Sequence, residues 1–160
     1  MKASLQPVAA GAAISLYAAW NARNLLAAWL HSPYDRYGWL AFLLWVFPIG
    51  CLWMTRLHTD HAGSKQVSSA AFAIALAISF AGVISDLGAL KYLGLAIALA
   101  GFLPLQPASF VYLACAAAWM PAAGWALSSH GSLLVNSIRA TIGLAAVLLT
   151  PCFLSNEPAH

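Results

Sequence analysis

Two arginines stand inside apolar stretches of the sequence, and each has an asparagine close by. Arg139 lies in LLVNSIRATIGLAAVLL, three residues after Asn136. Arg23 lies near the end of the first apolar stretch and is followed by Asn24. A charge in an apolar helix is costly unless it is paired or reaches water, and it usually faces other helices or a polar cavity. Asparagine can hydrogen-bond across helices and orient a guanidinium group. The pattern therefore predicts a polar site or a polar tie between helices.

The composition is typical of an integral membrane protein. Of the 160 residues, 62% are hydrophobic and 7% are charged, whereas soluble domains average about 25% charged residues. The net charge of +3 comes from residues spread thinly along the chain, so no clustered basic face for nucleic acid is expected. The three cysteines include no CxxC pair, and LHTDH is expected to be a solvated loop. We therefore expect neither a metal nor another cofactor.

Apolar runs of about 18–23 residues, each long enough to cross a hydrocarbon core of about 30 Å, predict membrane-spanning helices joined by short loops. The expected spans are 8–30, 37–55, 67–85, 87–105, 108–127 and 133–154. The expected fold is thus an all-α polytopic bundle of about six transmembrane helices in a single domain. Pro121 falls inside the fifth span, where neighbouring helices are expected to satisfy the backbone carbonyls that it frees.

The basic residues predict the orientation of this bundle. Arg56 and Lys65 flank the longest polar loop, and Lys2 lies near the N-terminus. Six spans put these regions on one side, which the positive-inside rule makes cytoplasmic. We therefore expect both termini on the cytoplasmic side and the remaining loops on the outer side.

This topology brings polar side chains from several helices to the outer level of the membrane. Arg139 is the seventh residue of its span and lies about 9 Å inside it, at 1.5 Å per residue. One interpretation is that each arginine reaches lipid headgroups or ties helices together. The other is a shared outward-facing polar cavity, with Asp86 or Asp35 as the counter-charge. The side chains expected to bind in such a cavity are Arg23, Asn24, Asp35, Asp86 and Asn136.

Four segments carry a pattern of hydropathy and short motifs. They are SPYDRYGWLAFLLWVFPIGCLWMTR, DLGALKYLGLAIALAGF, AAAWMPAAGWAL and VNSIRATIGLAAVL. Together they resemble the exosortase/archaeosortase family of membrane thiol transpeptidases, and the last is similar to that family's Asn-x-x-Arg helix. The resemblance implies a protein of the bacterial cytoplasmic membrane that processes C-terminal sorting signals.

The same resemblance implies a catalytic set of cysteine, arginine and histidine, here Cys115, Arg139 and His130. Cys115 lies about 20 Å from the outer end of its span, counted at 1.5 Å per residue, whereas His130 is expected at the outer surface. A thiol is activated by a base at about 3 Å, and the neighbours of Cys115 are alanines. As a thiol active site the set is incomplete.

Three classes of function follow. The first is an exosortase-like protein that binds a membrane-anchored peptide in its outer cavity. The second is a non-catalytic small subunit or assembly factor that contacts other membrane subunits. The third is a small anion transporter lined by the two arginines, but the two halves of the sequence show none of the inverted repeats typical of transporters.

Overall fold

The computed structural model describes residues 5–58 and 68–154, and every regular element in these two ranges is helical. The α-helices are α1 (Leu5–Asn21), α2 (Asn24–His31), α3 (Gly38–His58), α4 (Ser69–Ile84), α5 (Gly88–Ala100), α6 (Pro107–Ala114), α7 (Pro121–Ala126), α8 (Ser132–Leu148) and α9 (Thr150–Leu154). Short 3-10 helices cover Cys115–Ala118 and Ser128–His130. The predicted all-α class is confirmed.

Local sequence explains several helix boundaries. The Ser68 hydroxyl accepts a hydrogen bond from the Ala71 N–H at 3.2 Å and caps α4, which satisfies one of the N–H groups left free at a helix start. Pro107 opens α6, where its missing N–H costs nothing. Gly131 precedes α8 with φ of 83°, a backbone conformation that side chains disfavour.

Two helical stretches are long and apolar enough to cross a membrane, Gly38–Thr55 and Ser132–Leu154. The stretches Ser69–Ile84, Gly88–Ala100 and Pro107–Ala118 are also apolar but shorter. Two of the predicted spans, 8–30 and 108–127, are each made of more than one helix, with an interruption between the helices.

The two interruptions have different local causes. The first lies between α1 and α2, where the Asn21 side chain donates to the Tyr17 carbonyl at 3.0 Å and so competes for a backbone acceptor at the end of α1. The second lies before Pro121, which supplies no N–H and disfavours helical geometry in the residue ahead of it.

The helices pack as two regions with different side chains at their contacts. In the small-residue half, α4 and α5 form a hairpin that also packs on α1, with Gly94 lying directly against Ser79. In the aromatic half, α3 packs on α8 and on the 3-10 helix Cys115–Ala118. The ring centroids of Trp45 and Tyr112 stack there at 4.7 Å.

The exposed exterior of the helices carries many large apolar side chains. Leu133 is 83% exposed and Trp125 is 80% exposed. Single exposed apolar residues are ordinary in soluble proteins, but extensive apolar surface marks contact with a membrane or with another protein.

Candidate functional site

The Arg139 guanidinium is buried and forms an ion pair with Asp35. Its Nη2 donates to Asp35 Oδ1, and the two side chains are only 2% and 8% exposed. Arg139 lies on α8, while Asp35 lies in the loop between α2 and α3. That loop is a pair of tight turns, in which the Asp35 N–H donates to the Ser32 carbonyl and the Gly38 N–H donates to the Asp35 carbonyl. The turns hold the carboxylate against the Arg139 side chain of α8.

Arg139 also binds the backbone at the helix break before Pro121. Arg139 Nη2 donates to the Met120 carbonyl at 3.1 Å, and Trp29 Nε1 donates to the Trp119 carbonyl at 3.1 Å. Side chains of α2 and α8 thus bind the carbonyls of the two residues before Pro121, whereas the carbonyl that Pro121 itself frees, that of Ala117, accepts from the Met120 N–H. One guanidinium therefore joins α8, the α2–α3 loop and the segment around Pro121.

Two glycines give the ion pair its space. A Cβ added to Gly124 would overlap both the Asp35 carboxylate and the Arg139 guanidinium, and one added to Gly38 would overlap the Trp29 indole and lie 3.2 Å from Arg139 Nη1. Asn136, one turn before Arg139, donates from Nδ2 to the Pro33 carbonyl at 3.4 Å. The α2–α3 loop is therefore held from α8 at two points.

The site keeps hydrogen-bonding capacity that its own residues do not use. Arg139 Nε and Nη1, Trp119 Nε1 and Asn136 Oδ1 are buried and have no hydrogen-bond partner among the described residues. Buried donors of this kind normally find a partner. The three N–H groups are suited to an oxygen acceptor such as a carbonyl or a carboxylate.

Asp86 does not belong to this site, contrary to the interpretation that made it a counter-charge of Arg139. It lies at the turn of the α4–α5 hairpin with φ of 53°, is 92% exposed and pairs with Lys91 at 2.6 Å. The reason is packing, since the hairpin lies against α1 whereas α8 lies against α3. The hydrogen bond and the charge of Lys91 lower the pKa of Asp86.

Arg23 and Asn24 also lie apart from the ion pair. Both side chains are exposed, at the break between α1 and α2. The Arg23 guanidinium lies 5.0 Å from the centroid of the Trp20 ring. Arg23 lines a groove whose described lining residues include neither Arg139 nor Asp86. The described residues of this groove therefore do not bring Arg23, Asp86 and Arg139 together, and the predicted convergence of the three on one polar cavity is not seen there.

The predicted catalytic set is not assembled either. Cys115 is buried at the start of its 3-10 helix, and the guanidinium of Arg139 is committed to Asp35 and Met120. His130 is exposed and its Nδ1 lies 3.0 Å from the Ser129 hydroxyl. Among the described residues, no hydrogen bond joins Cys115 to Arg139 or His130. Nucleophilic catalysis needs a base within hydrogen-bonding distance of the thiol, and neither of the two predicted partners occupies that position.

Within residues 5–58 and 68–154, no group of three or more His, Cys, Asp or Glu side chains could hold a metal ion. Asp60 and His61 of the LHTDH motif lie outside the described residues. Comparison of the chain with protein-family models, with curated proteins and with solved structures finds no match.

Sequence reasoning missed the residues that surround the ion pair. Trp29, Gly38, Gly124 and the Met120 carbonyl were not singled out, although each contacts the pair or its immediate neighbours. Pro121 was the available signal for the break itself, because a proline disfavours helical geometry in the residue ahead of it. The glycines carry no signal of their own without a structure.

Proposed function

We propose that this chain is an integral membrane protein with six membrane-crossing segments, and that it acts as a non-catalytic component of a larger membrane assembly. The segments would be α1 with α2, α3, α4, α5, α6 with α7, and α8 with α9. The two helical stretches of membrane-spanning length support this proposal. So do the large apolar side chains on the outer surface, which lipid or neighbouring helices would cover.

By the positive-inside rule, the polar segment of the sequence around residues 59–67 would face the cytoplasm of a bacterial cell. The Asp35–Arg139 pair would then lie at the outer end of the bundle. At that depth an unpaired arginine is costly, and pairing with a carboxylate offsets the cost.

The observation that supports the non-catalytic role is the burial of the Arg139 guanidinium, which leaves it inaccessible to a substrate. It is 2% exposed, paired with Asp35 and packed beside Gly124. An arginine that recognises a substrate must be reachable, whereas one that joins three chain segments fixes their relative positions. A rigid outer end with short loops leaves the lateral apolar surface as the place where a partner would bind. Packing against other membrane helices is the interaction that such a surface favours.

A second candidate function is exosortase-like processing of membrane-anchored proteins. The unpartnered Nε and Nη1 of Arg139 favour it, since they could donate to a carbonyl or carboxylate of a peptide. The resemblance of VNSIRATIGLAAVL to the Asn-x-x-Arg helix of that family points the same way.

Native mass spectrometry of membranes solubilised in mild detergent separates the two candidates. The non-catalytic role predicts that the 16.9 kDa chain is recovered in a larger complex with different membrane proteins, and that Cys115→Ser leaves this complex intact. Recovery of the chain only as a monomer or homo-oligomer contradicts the proposal. Membrane insertion is tested separately by alkaline carbonate extraction, which should leave the chain in the membrane pellet.

The second candidate makes a different prediction. The purified chain should then cleave a reporter that ends in a short motif, an apolar span and a basic tail. Cys115→Ser should abolish that cleavage, with Cys51→Ser as the matched control. Cleavage that depends on Cys115 alone would establish an enzyme and overturn the non-catalytic role.

A further inference from the structure

A groove opens on the surface beside the break between α1 and α2. Its volume is about 390 Å³. The described residues that line it come from α1, the break, α2, α3 and α5, and are Leu16, Ala19, Trp20, Ala22, Arg23, Leu25, Leu26, Trp29, Phe42 and Leu95. The groove is thus a mostly apolar surface depression between the two halves of the bundle.

Arg23 is the one charged residue among these lining residues. Its guanidinium lies over the Trp20 ring at 5.0 Å from the centroid, a cation–π arrangement that orients the group without neutralising its charge. No ion pair joins Arg23 to a carboxylate within residues 5–58 and 68–154. The groove therefore presents a cation at one point and apolar side chains everywhere else.

We propose that this groove binds one anionic phospholipid, with an acyl chain along the apolar walls and the phosphate against Arg23. The proposal rests on the membrane location argued above, which puts lipid at this surface. Charge complementarity selects the headgroup, because an anionic lipid carries a net negative charge, whereas the phosphate of phosphatidylcholine is balanced by its own ammonium group. Trp20 is 68% exposed beside Arg23, as an interfacial tryptophan at headgroup level would be.

The groove shares a wall with the buried site, since the Trp29 ring lines the groove while its Nε1 holds the Trp119 carbonyl. A lipid seated there packs against a residue that supports the break before Pro121. Bound lipid is thus expected to stabilise the outer end of the bundle.

The test uses the full chain in nanodiscs made of equal amounts of phosphatidylglycerol and phosphatidylcholine. Lipids retained after transfer to detergent are identified by native mass spectrometry. We expect retained phosphatidylglycerol to exceed phosphatidylcholine about fivefold, the factor expected for one basic residue at an anionic membrane surface. Arg23→Gln should abolish this preference, while Arg36→Gln, which removes an exposed charge from the neighbouring loop, should keep it.

A second pair of variants tests the apolar walls. Ala19→Phe places a ring in the groove from an exposed position of α1, whereas Ala13→Phe adds the same ring at an exposed position outside it. We expect Ala19→Phe to lower retention of both lipids and Ala13→Phe to leave retention unchanged.

Equal retention of the two lipids by the wild-type chain would overturn the proposal, as would equal losses for Arg23→Gln and Arg36→Gln. These outcomes leave the membrane location untouched, because the carbonate extraction tests it independently. A chain that carbonate removes from the membrane would instead contradict the location itself.

Discussion

The two halves of the bundle achieve close packing by different means. In the small-residue half, backbones approach closely where side chains are absent, and a Cβ on Gly82 would lie 2.8 Å from the Lys91 amide nitrogen. In the aromatic half, large rings stack and hydrogen-bond. Trp45 Nε1 donates to the Tyr112 carbonyl at 2.8 Å, and the Tyr112 hydroxyl donates to the Trp45 carbonyl.

This difference shows how the contacts of each half specify its structure. Van der Waals contact between small residues depends only on shape, so it fixes how near two helices lie. The directional hydrogen bonds of the aromatic half, together with the Asp35–Arg139 pair, also fix register. The candidate functional site lies in the half whose geometry is specified more strictly.

The largest expected effect comes from removing one member of the buried pair. Arg139→Met leaves Asp35 buried without its counter-charge and should lower the free energy of unfolding by about 3–5 kcal/mol. Asp35→Leu should cost a similar amount. Unfolding in mixed micelles of mild detergent and dodecyl sulfate measures both changes.

The double variant Asp35→Leu/Arg139→Met separates pairing from packing. Because it leaves no unpaired charge, it should recover most of the stability lost in either single variant. A double variant as unstable as the sum of the two single variants would show that the two side chains act independently, which would contradict the tie between α8 and the α2–α3 loop.

An intermediate effect is expected in the small-residue half. Gly94→Ala brings a methyl group into the Ser79 side chain and within 3.0 Å of its amide nitrogen, and overpacking of this kind costs about 1–3 kcal/mol. Gly50→Ala is the matched control, because a Cβ there has no neighbour within 4 Å and alanine favours the helix by about 1 kcal/mol. Stabilisation by both variants would show that α4 and α5 do not pack this closely.

The smallest effect is expected at the hairpin turn. Lys91 lowers the pKa of Asp86, so the pair stabilises the fold above the ordinary carboxylate pKa and loses that contribution as the pH falls through the lowered value. The contribution is small because Asp86 is exposed. Asp86→Asn should leave stability at neutral pH nearly unchanged and should remove this pH dependence from acid titrations followed by circular dichroism. A large loss of stability at neutral pH would indicate that Asp86 has a buried partner.

The helical class could be predicted from the sequence, and so could the polar contact that Arg139 makes between helices. Both follow from local signals, namely apolar runs and a charge within one of them. The sequence offered two aspartates, Asp35 and Asp86, as the counter-charge of Arg139, and it did not indicate which of the two forms the pair. Both follow apolar runs that the predicted topology ends on the same side of the membrane, and a shared side alone does not say which helices are neighbours. That choice depends on packing, in which the α4–α5 hairpin lies against α1 and leaves the α2–α3 loop beside α8.

The interruptions of the predicted spans were only partly predictable. Pro121 was recognised as a residue that frees carbonyls, and the break there follows from its chemistry. At the break after Asn21, the side chain of Asn21 hydrogen-bonds to the Tyr17 carbonyl of its own helix. A hydropathy pattern contains no information about such a bond. Glycines such as Gly124 gain their role from what lies opposite them, so their function emerges only in three dimensions.

The Asp35–Arg139 pair joins residues that are 104 positions apart in the chain. At about 5–20 residues per second, a ribosome makes Arg139 roughly 5–20 s after Asp35. Throughout that interval the α2–α3 loop has its carboxylate and no counter-charge. The Met120 carbonyl, made 19 residues before Arg139, waits for the same guanidinium over the last part of it. The contacts among α8, the α2–α3 loop and the segment before Pro121 can therefore form only after Arg139 has been made, late in synthesis of the chain.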